Sequence, residues 1–331
     1  MLTVLVLRKR IQLVTVLFSE AGKALTAMPG LLLQPAWTLS FCAATAAAGA
    51  VAMLILLTAG DPVAAKGEEE VLLLRQDSLL RLGPWYLALA LFWILQLAVS
   101  CQAVVVAGAA AHWYFDRGRC PRWGAPCASV WRLVRYHLGS VVLGSLLEAL
   151  ARMLRLACRL AGRRCRRQGK AACCLCACLG CCAALRFLNR NALILLAARG
   201  YGLCRAAREA WQLLSRNALR VATVNCVGDF VLLLAKGAVV AGTVLVGHRL
   251  IQDKSGQLSW GEWAPLCTAG LGALLVAHCF LSVYEMTLDT IFICFCRQCE
   301  DAQRGGAPAM PPALAAFVEK SGEVAPPTSR Q

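Results

Sequence analysis

The chain has 331 residues, of which 59% are hydrophobic and only 16% charged. Soluble domains carry about a quarter charged residues, so this composition excludes an ordinary soluble fold. The formal net charge of +16 would suit nucleic acid, but the bases lie in blocks between apolar runs, the pattern of cytosolic loops beside membrane spans; no nucleic-acid partner is expected.

Residues 1–7 form an apolar stub ahead of Arg8, Lys9 and Arg10. The stub is too short for a span and its charge order is wrong for a signal peptide, so it reads as the cut end of a helix. In the stretch 8–28, Ile11, Val14, Leu17 and Phe18 share one side, while Arg8, Gln12, Ser19 and Lys23 mostly face away. This predicts an amphipathic helix on the inner membrane surface. Residues 1–30 are thus set apart from a transmembrane domain over 31–297 and a tail over 298–331.

Pro35 opens the first full span, 37–58, which has no charge in 22 residues. At about 1.5 Å per residue it covers the roughly 30 Å hydrocarbon layer. The loop 60–82 holds five acids against three bases and is expected outside. The second span, 85–114, has Trp85 and Tyr86 at one end and His112, Trp113 and Tyr114 at the other, as in the aromatic belts at headgroup depth. Arg117, Arg119, Arg122, Arg132 and Arg135 against Asp116 then mark a cytosolic loop.

The middle, 138–200, is an intramembrane pair with two readings. Residues 138–147 are apolar, then Glu148, Arg152 and Arg155 follow at helical spacing, the first two able to pair. Residues 152–170 hold eight bases and no acid, and two further apolar pieces follow at 171–185 and 191–198. Basic loops on both sides of the region require an even number of crossings. Either the pair crosses twice, or it dips and returns. The eight bases favour the dip, because an external cationic loop breaks the charge rule. Two clear spans follow, 221–247 and 263–296, joined by a short charge-balanced external loop. The Pro- and Gly-rich tail reads as mostly disordered and cytosolic, with a short helix over 312–320. Gly139, Gly144, Gly237 and Gly242 are expected to let helices pack closely.

Polar groups inside apolar spans are costly and mark substrate or ion routes. Asn225, Asp229 and Lys236 fall on one face of their helix. Asp229 would attract a cation or carry a proton, with Asn225 orienting it; the structural alternative pairs the aspartate and lets Lys236 reach the surface. His278, Ser282, Glu285 and Asp289 form a second stripe, three or four residues apart. Two carboxylates at that spacing repel unless one is protonated or a cation lies between them, and the histidine titrates near neutral pH. Asp289 also reads as simply hydrated at the cytosolic end.

Several strings resemble the choline transporter-like family of solute carriers: Leu7-Arg8-Lys9-Arg10-Ile11, VVAGA at 105–109 with WYF at 113–115, RYHLG at 135–139, and the cysteine cluster followed by LNRNA at 188–192. NALRVATVNCVGDF at 217–230 and LVAHCFLSVYEM at 275–286 carry the strongest likeness. The resemblance covers nearly the whole chain, but only the C-terminal half of the family pattern. It implies an all-α, polytopic helical membrane protein, the C-terminal half of a ten-span transporter with cytosolic termini. It also implies transport of choline and ethanolamine by alternating access, with proton exchange. The partners are then a small organic cation, protons and the lipid bilayer. The alternative is a transport-incompetent adaptor that associates with full-length relatives or other membrane subunits. The location is an integral membrane one, the plasma membrane first and the mitochondrial membrane second.

Quaternary ammonium donates no hydrogen bond, so aromatic faces recognise it, each contributing about 0.5–2 kcal/mol. Trp93 and Tyr284 are the candidates within spans, with Gln96 on the Trp93 face; Trp85 and Tyr86 read as interfacial belt. The chain has 19 cysteines and no Asn-x-Ser/Thr sequon, and the cluster lies among bases, so the thiols are expected reduced near the inner face. Cys173, Cys174, Cys176, Cys178, Cys181 and Cys182 are S-palmitoylation candidates, with unmodified thiols as the alternative. No paired C-x-x-C frame supports a metal. No nucleophile–base–acid set and no phosphate-binding glycine loop is present, so no enzyme and no cofactor is expected.

Overall fold

In a computed structural model, the structure describes residues 2–59, 61–64, 72–75, 78–116, 124–164, 169–255, 263–303 and 311–321. Among the described residues the backbone is almost wholly helical. Hydrocarbon offers no partner to a peptide group, so each segment must bond within itself. The helices are α1 (Leu2–Ala27), α2 (Gln34–Thr58), α3 (Ser78–Phe115), α4 (Gly124–Arg132), α5 (Leu138–Arg164), α6 (Gly169–Arg199), α7 (Leu203–Arg216), α8 (Ala218–Ser255), α9 (Trp263–Gln303) and α10 (Pro312–Ser321). A 3-10 turn, Pro29–Leu33, joins α1 to α2, and a π-helical turn, Leu133–His137, joins α4 to α5. Among the described residues, five segments are long and apolar enough to cross a membrane: Pro29–Thr58, Leu80–Phe115, Gly180–Arg199, Ala218–Gln252 and Trp263–Ala302. The chain is an all-α, multi-pass integral membrane protein. Among the described residues, the one addition to the helices is a short antiparallel hairpin in the loop 60–82, β1 (Asp61–Ala64) against β2 (Leu72–Arg75), with Asp61 opposite Arg75.

The helices outrun the apolar stretches. α8 has 38 residues and α9 has 41, about 57 and 61 Å at 1.5 Å per residue. The layer takes roughly 20 residues, so both project beyond it. The helical ladder continues while the side chains turn polar, and the expected tail boundary at 298 falls inside α9.

The chain forms two compact units. The first comprises residues 1–35, 103–136 and 191–331. In it α8 packs along α9, and α1 packs on α9, α8 and α10. Leu13, Val14, Leu17, Ala21 and Ala24 of α1 are buried. The helix expected on the membrane surface is therefore packed against other helices; an amphipathic stripe records that something covers it, not what. The core of this unit includes Val104 to Ala111 of α3, Ala192 to Leu196 of α6, and Ile291, Phe292, Ile293 and Phe295 of α9. Gly108 allows close packing there: a Cβ on it would lie 3.1 Å from Ser129 Oγ of α4 and 3.9 Å from Ala197 of α6. Gly200, at φ 72°, ends α6 and donates its N–H to the Leu196 carbonyl at 2.9 Å. Where the C-terminal ends of α6 and α9 meet α7, Arg297 lies 3.6 to 3.8 Å from Glu209, Glu300 and Asp301, while Arg199 bonds Asp301 at 3.0 Å. The tail helix α10 seats Leu314 in full burial.

The second unit comprises residues 36–102 and 137–190. Gly49 of α2 faces Leu91 of α3 and Gly83 faces Leu56, an antiparallel pair. Trp93 Nε1 of α3 donates to Ser145 Oγ of α5 at 3.3 Å. Asn189 of α6 donates to the Gly144 carbonyl of α5 at 3.1 Å. Arg186 lies against Glu148, so α5 and α6 also run antiparallel. The close approaches occur at Gly49, Gly83, Gly108, Gly247 and Gly270, not at Gly139, Gly237 or Gly242, where a Cβ would meet nothing within 4 Å.

Candidate functional site

α8 and α9 carry the acids that the sequence singles out. Gly247 faces Leu266 and Gly270 faces Val244, so the two helices run antiparallel in close contact. Extending this register places Asp229 level with Glu285 and Asn225 level with Asp289. The buried face of α8 is Val221, Val224, Gly228 and Leu232. Asn225 and Asp229 sit on its flank: Asn225 is half-buried and Asp229 exposed, as is its neighbour Phe230. Lys236, two turns on, is half-buried.

On α9, burial grades along the stripe. His278 is exposed, whereas Ser282, Glu285 and Asp289 are half-buried, next to the fully packed Val283, Met286 and Thr290. Ser282 Oγ donates to its own helix, to the Cys279 carbonyl at 2.7 Å. The Thr287 and Thr290 hydroxyls likewise bond the Val283 and Met286 carbonyls at 2.8 and 2.7 Å. These hydroxyls donate within α9.

Tyr284 stands beside Glu285, but its hydroxyl donates to the Phe18 carbonyl of α1 at 2.6 Å and its ring meets the Phe18 ring at 5.6 Å. It ties α9 to α1 at the level of the acids. Glu20, two residues further along α1, is 3% exposed and accepts from Lys23 Nζ at 2.6 Å. This buried carboxylate is not singled out by the sequence reading, because an acid three residues before a lysine looks like an ordinary surface pair.

Trp93 and Gln96 belong to the other unit. Trp93 is half-buried with its donor on Ser145, Gln96 is 5% exposed, and Ser100, a turn further, has its hydroxyl buried without a partner among the described residues. Trp85 and Tyr86 are 77% and 75% exposed, in keeping with an interfacial belt. In the π-helical turn, burial holds the His137 imidazole below its ordinary range. Of the cysteine cluster, Cys181 is exposed and Cys182 buried. The side chains of Cys173, Cys174, Cys176 and Cys178 lie outside the described residues; their backbone forms the first turns of α6.

The family described as plasma-membrane choline transporter matches residues 1–300 of the chain. The choline transporter-like protein 1 of Xenopus laevis is 36% identical over 332 residues, covering 97% of this chain and 50% of that protein. Its counterpart in Mus musculus is 37% identical over 331 residues, with the same coverage. The choline transporter-like protein 3 of Bos taurus is 34% identical over 312 residues, covering 89% of this chain and 46% of that protein. The chain spans about half the length of the curated relatives it matches, and the names of those relatives are those of transporters. With five segments among the described residues long and apolar enough to cross a membrane and a family match over residues 1–300, the chain belongs to the plasma-membrane choline transporter family.

Proposed function

We propose that this chain takes part in moving choline, and ethanolamine as a smaller relative, across the plasma membrane by alternating access coupled to protons. The observation that carries the reading is the family match over residues 1–300. The neighbouring acids on α8 and α9 supply the chemistry. Asp229 and Glu285 attract the cation, Asn225 and Ser282 shape the polar route, and Glu285, Asp289 and His278 exchange the proton. An ammonium group between two carboxylates relieves their repulsion, and a proton does the same when the site is empty. Trp93 and Tyr284 offer ring faces to a cation, with Gln96 beside the first.

Two further features belong to this reading. The pair α5–α6 keeps its turn on the cytosolic side, which the eight bases of 152–170 favour. Acylation of Cys173, Cys174, Cys176, Cys178, Cys181 and Cys182 anchors the start of α6 at that face.

The test is uptake of labelled choline by cells expressing Glu285→Gln or Asp229→Asn, with surface expression measured in parallel. Uptake is expected to drop at least about tenfold at equal surface expression, the scale of losing one charge contact of about 1.4 kcal/mol. Normal uptake in both variants would remove these residues from the route.

A second reading is favoured by one observation. Asp229 is exposed beside the exposed Phe230, Val231 and Leu233, and a carboxylate facing lipid is costly. Another membrane subunit covering that face would remove the cost, making the chain an adaptor for full-length relatives. Co-purification with a full-length relative, abolished by Asp229→Leu, together with absence of uptake by the chain alone, separates this reading from the first.

A further inference from the structure

The unit formed by residues 36–102 and 137–190 holds a group of charges that the transport route does not use. Glu148 of α5 has a side chain only 12% exposed. Arg152 Nη2 donates to its Oε1 at 2.7 Å, and Arg186 Nε of α6 lies 3.6 Å from the same oxygen. Asn189 Nδ2 reaches Oε2 at 3.4 Å while donating to the Gly144 carbonyl at 3.1 Å. Arg155, a turn beyond Arg152, is close enough to Arg186 for the two to repel, as Arg152 and Arg186 do. Two guanidinium groups therefore lie on one carboxylate and a third stands a turn away, so the positive charges outnumber the negative by two.

The donors are as telling as the charge. The Nε atoms of Arg152, Arg155 and Arg186 are buried and have no hydrogen-bond partner among the described residues. Buried donors are nearly always paired, and clustered cations at an apolar helix pair are costly. One ligand relieves both costs: an anion with several acceptor oxygens, for which the guanidinium fork is the matching donor. Around the charges, Leu147, Leu150 and Leu154 of α5 and Leu185 and Phe187 of α6 are exposed, so the anion would enter at an apolar surface.

We propose that Arg152, Arg155 and Arg186 bind a phosphate group, carried by the headgroup of an acidic phospholipid or present as the free ion, with Glu148, itself positioned by Asn189, holding the Arg152 and Arg186 guanidinium groups in place. The acidic lipids of the inner leaflet are a natural source if the α5–α6 turn lies on the cytosolic side, but the chemistry depends only on the three arginines. The site thus stands apart from the transport reading and survives its failure.

The test is lipid retention by the purified full chain in detergent, read by native mass spectrometry with added phosphatidylglycerol or phosphatidylcholine, and with inorganic phosphate as competitor. Phosphatidylglycerol is expected to be retained at a concentration about tenfold lower than phosphatidylcholine. Arg155→Gln, which breaks no ion pair made by Glu148, is expected to erase that preference. The double variant Glu148→Gln/Arg186→Gln, which leaves no unpaired carboxylate, is expected to do the same. Displacement by inorganic phosphate would identify a site that also takes the free ion; resistance to it, with the arginine dependence intact, would assign the lipid. Equal retention of both lipids, or a preference unchanged in both variants, would overturn the proposal.

Discussion

Tyr284 illustrates how a residue beside the acids is held. Its hydroxyl bonds a backbone carbonyl 266 positions away in sequence. Such a bond contributes about 1 kcal/mol, so Tyr284→Phe should lower the melting temperature in detergent, read by intrinsic fluorescence, while leaving choline uptake near normal because the ring remains. Tyr284→Ala should lower both. An unchanged melting temperature in Tyr284→Phe would show that the tether to Phe18 carries no weight. What was legible at this scale was the polar stripe itself: an acid in an apolar helix breaks the pattern, so Asp229 and Glu285 could be picked out from spacing. Their surroundings could not. Helical periodicity gives which residues share a face, not which helix lies opposite, so the Phe18 contact, the Ser145 partner of Trp93 and the Asn189 contact to Glu148 were invisible.

At the scale of elements, the spans were read from length and hydropathy, and each of the four clear stretches lies within one helix. The ends differ because hydrogen-bonded helix continues after apolar character stops. The glycines divide the other way: those at i,i+5 spacing on α8 look like packing sites, yet the close approaches fall on Gly49, Gly83, Gly108, Gly247 and Gly270, which spacing does not distinguish. Gly108→Leu should therefore prevent surface expression, since overpacking costs about 1–3 kcal/mol or more. Gly237→Leu, where a Cβ meets nothing within 4 Å, should be tolerated. Surface biotinylation reads both, and equal expression would contradict the packing of α3 against α4 and α6. The middle pair was the least legible part, because its apolar pieces are interrupted by charges. Continuous helices of 27 and 31 residues resolve the interruptions: Glu148, Arg152 and Arg186 meet between α5 and α6. For their sidedness, Gly169→Cys in a background lacking nearby thiols should label with a membrane-impermeant maleimide only from the cytosolic side. Labelling of intact cells from outside would establish crossing.

At the scale of the molecule, all-α architecture and family were legible early because both rest on long patterns: four clear apolar spans and strings spread from residue 7 to residue 286. Half-length coverage of its relatives makes autonomy the central matter. Two features of the chain bear on it. In the unit containing α8 and α9, Arg297 makes ion pairs with Glu209, Glu300 and Asp301, and α10 packs on α1. The acids on α8 and α9 lie level with each other by register. Proteoliposomes containing the purified chain alone, loaded with an acidic interior and exposed to labelled choline, test autonomy most directly. The transport account predicts choline accumulation that collapses with a protonophore and falls at least about tenfold in Glu285→Gln. Accumulation no greater than in protein-free liposomes, from a chain shown to be folded, would contradict it.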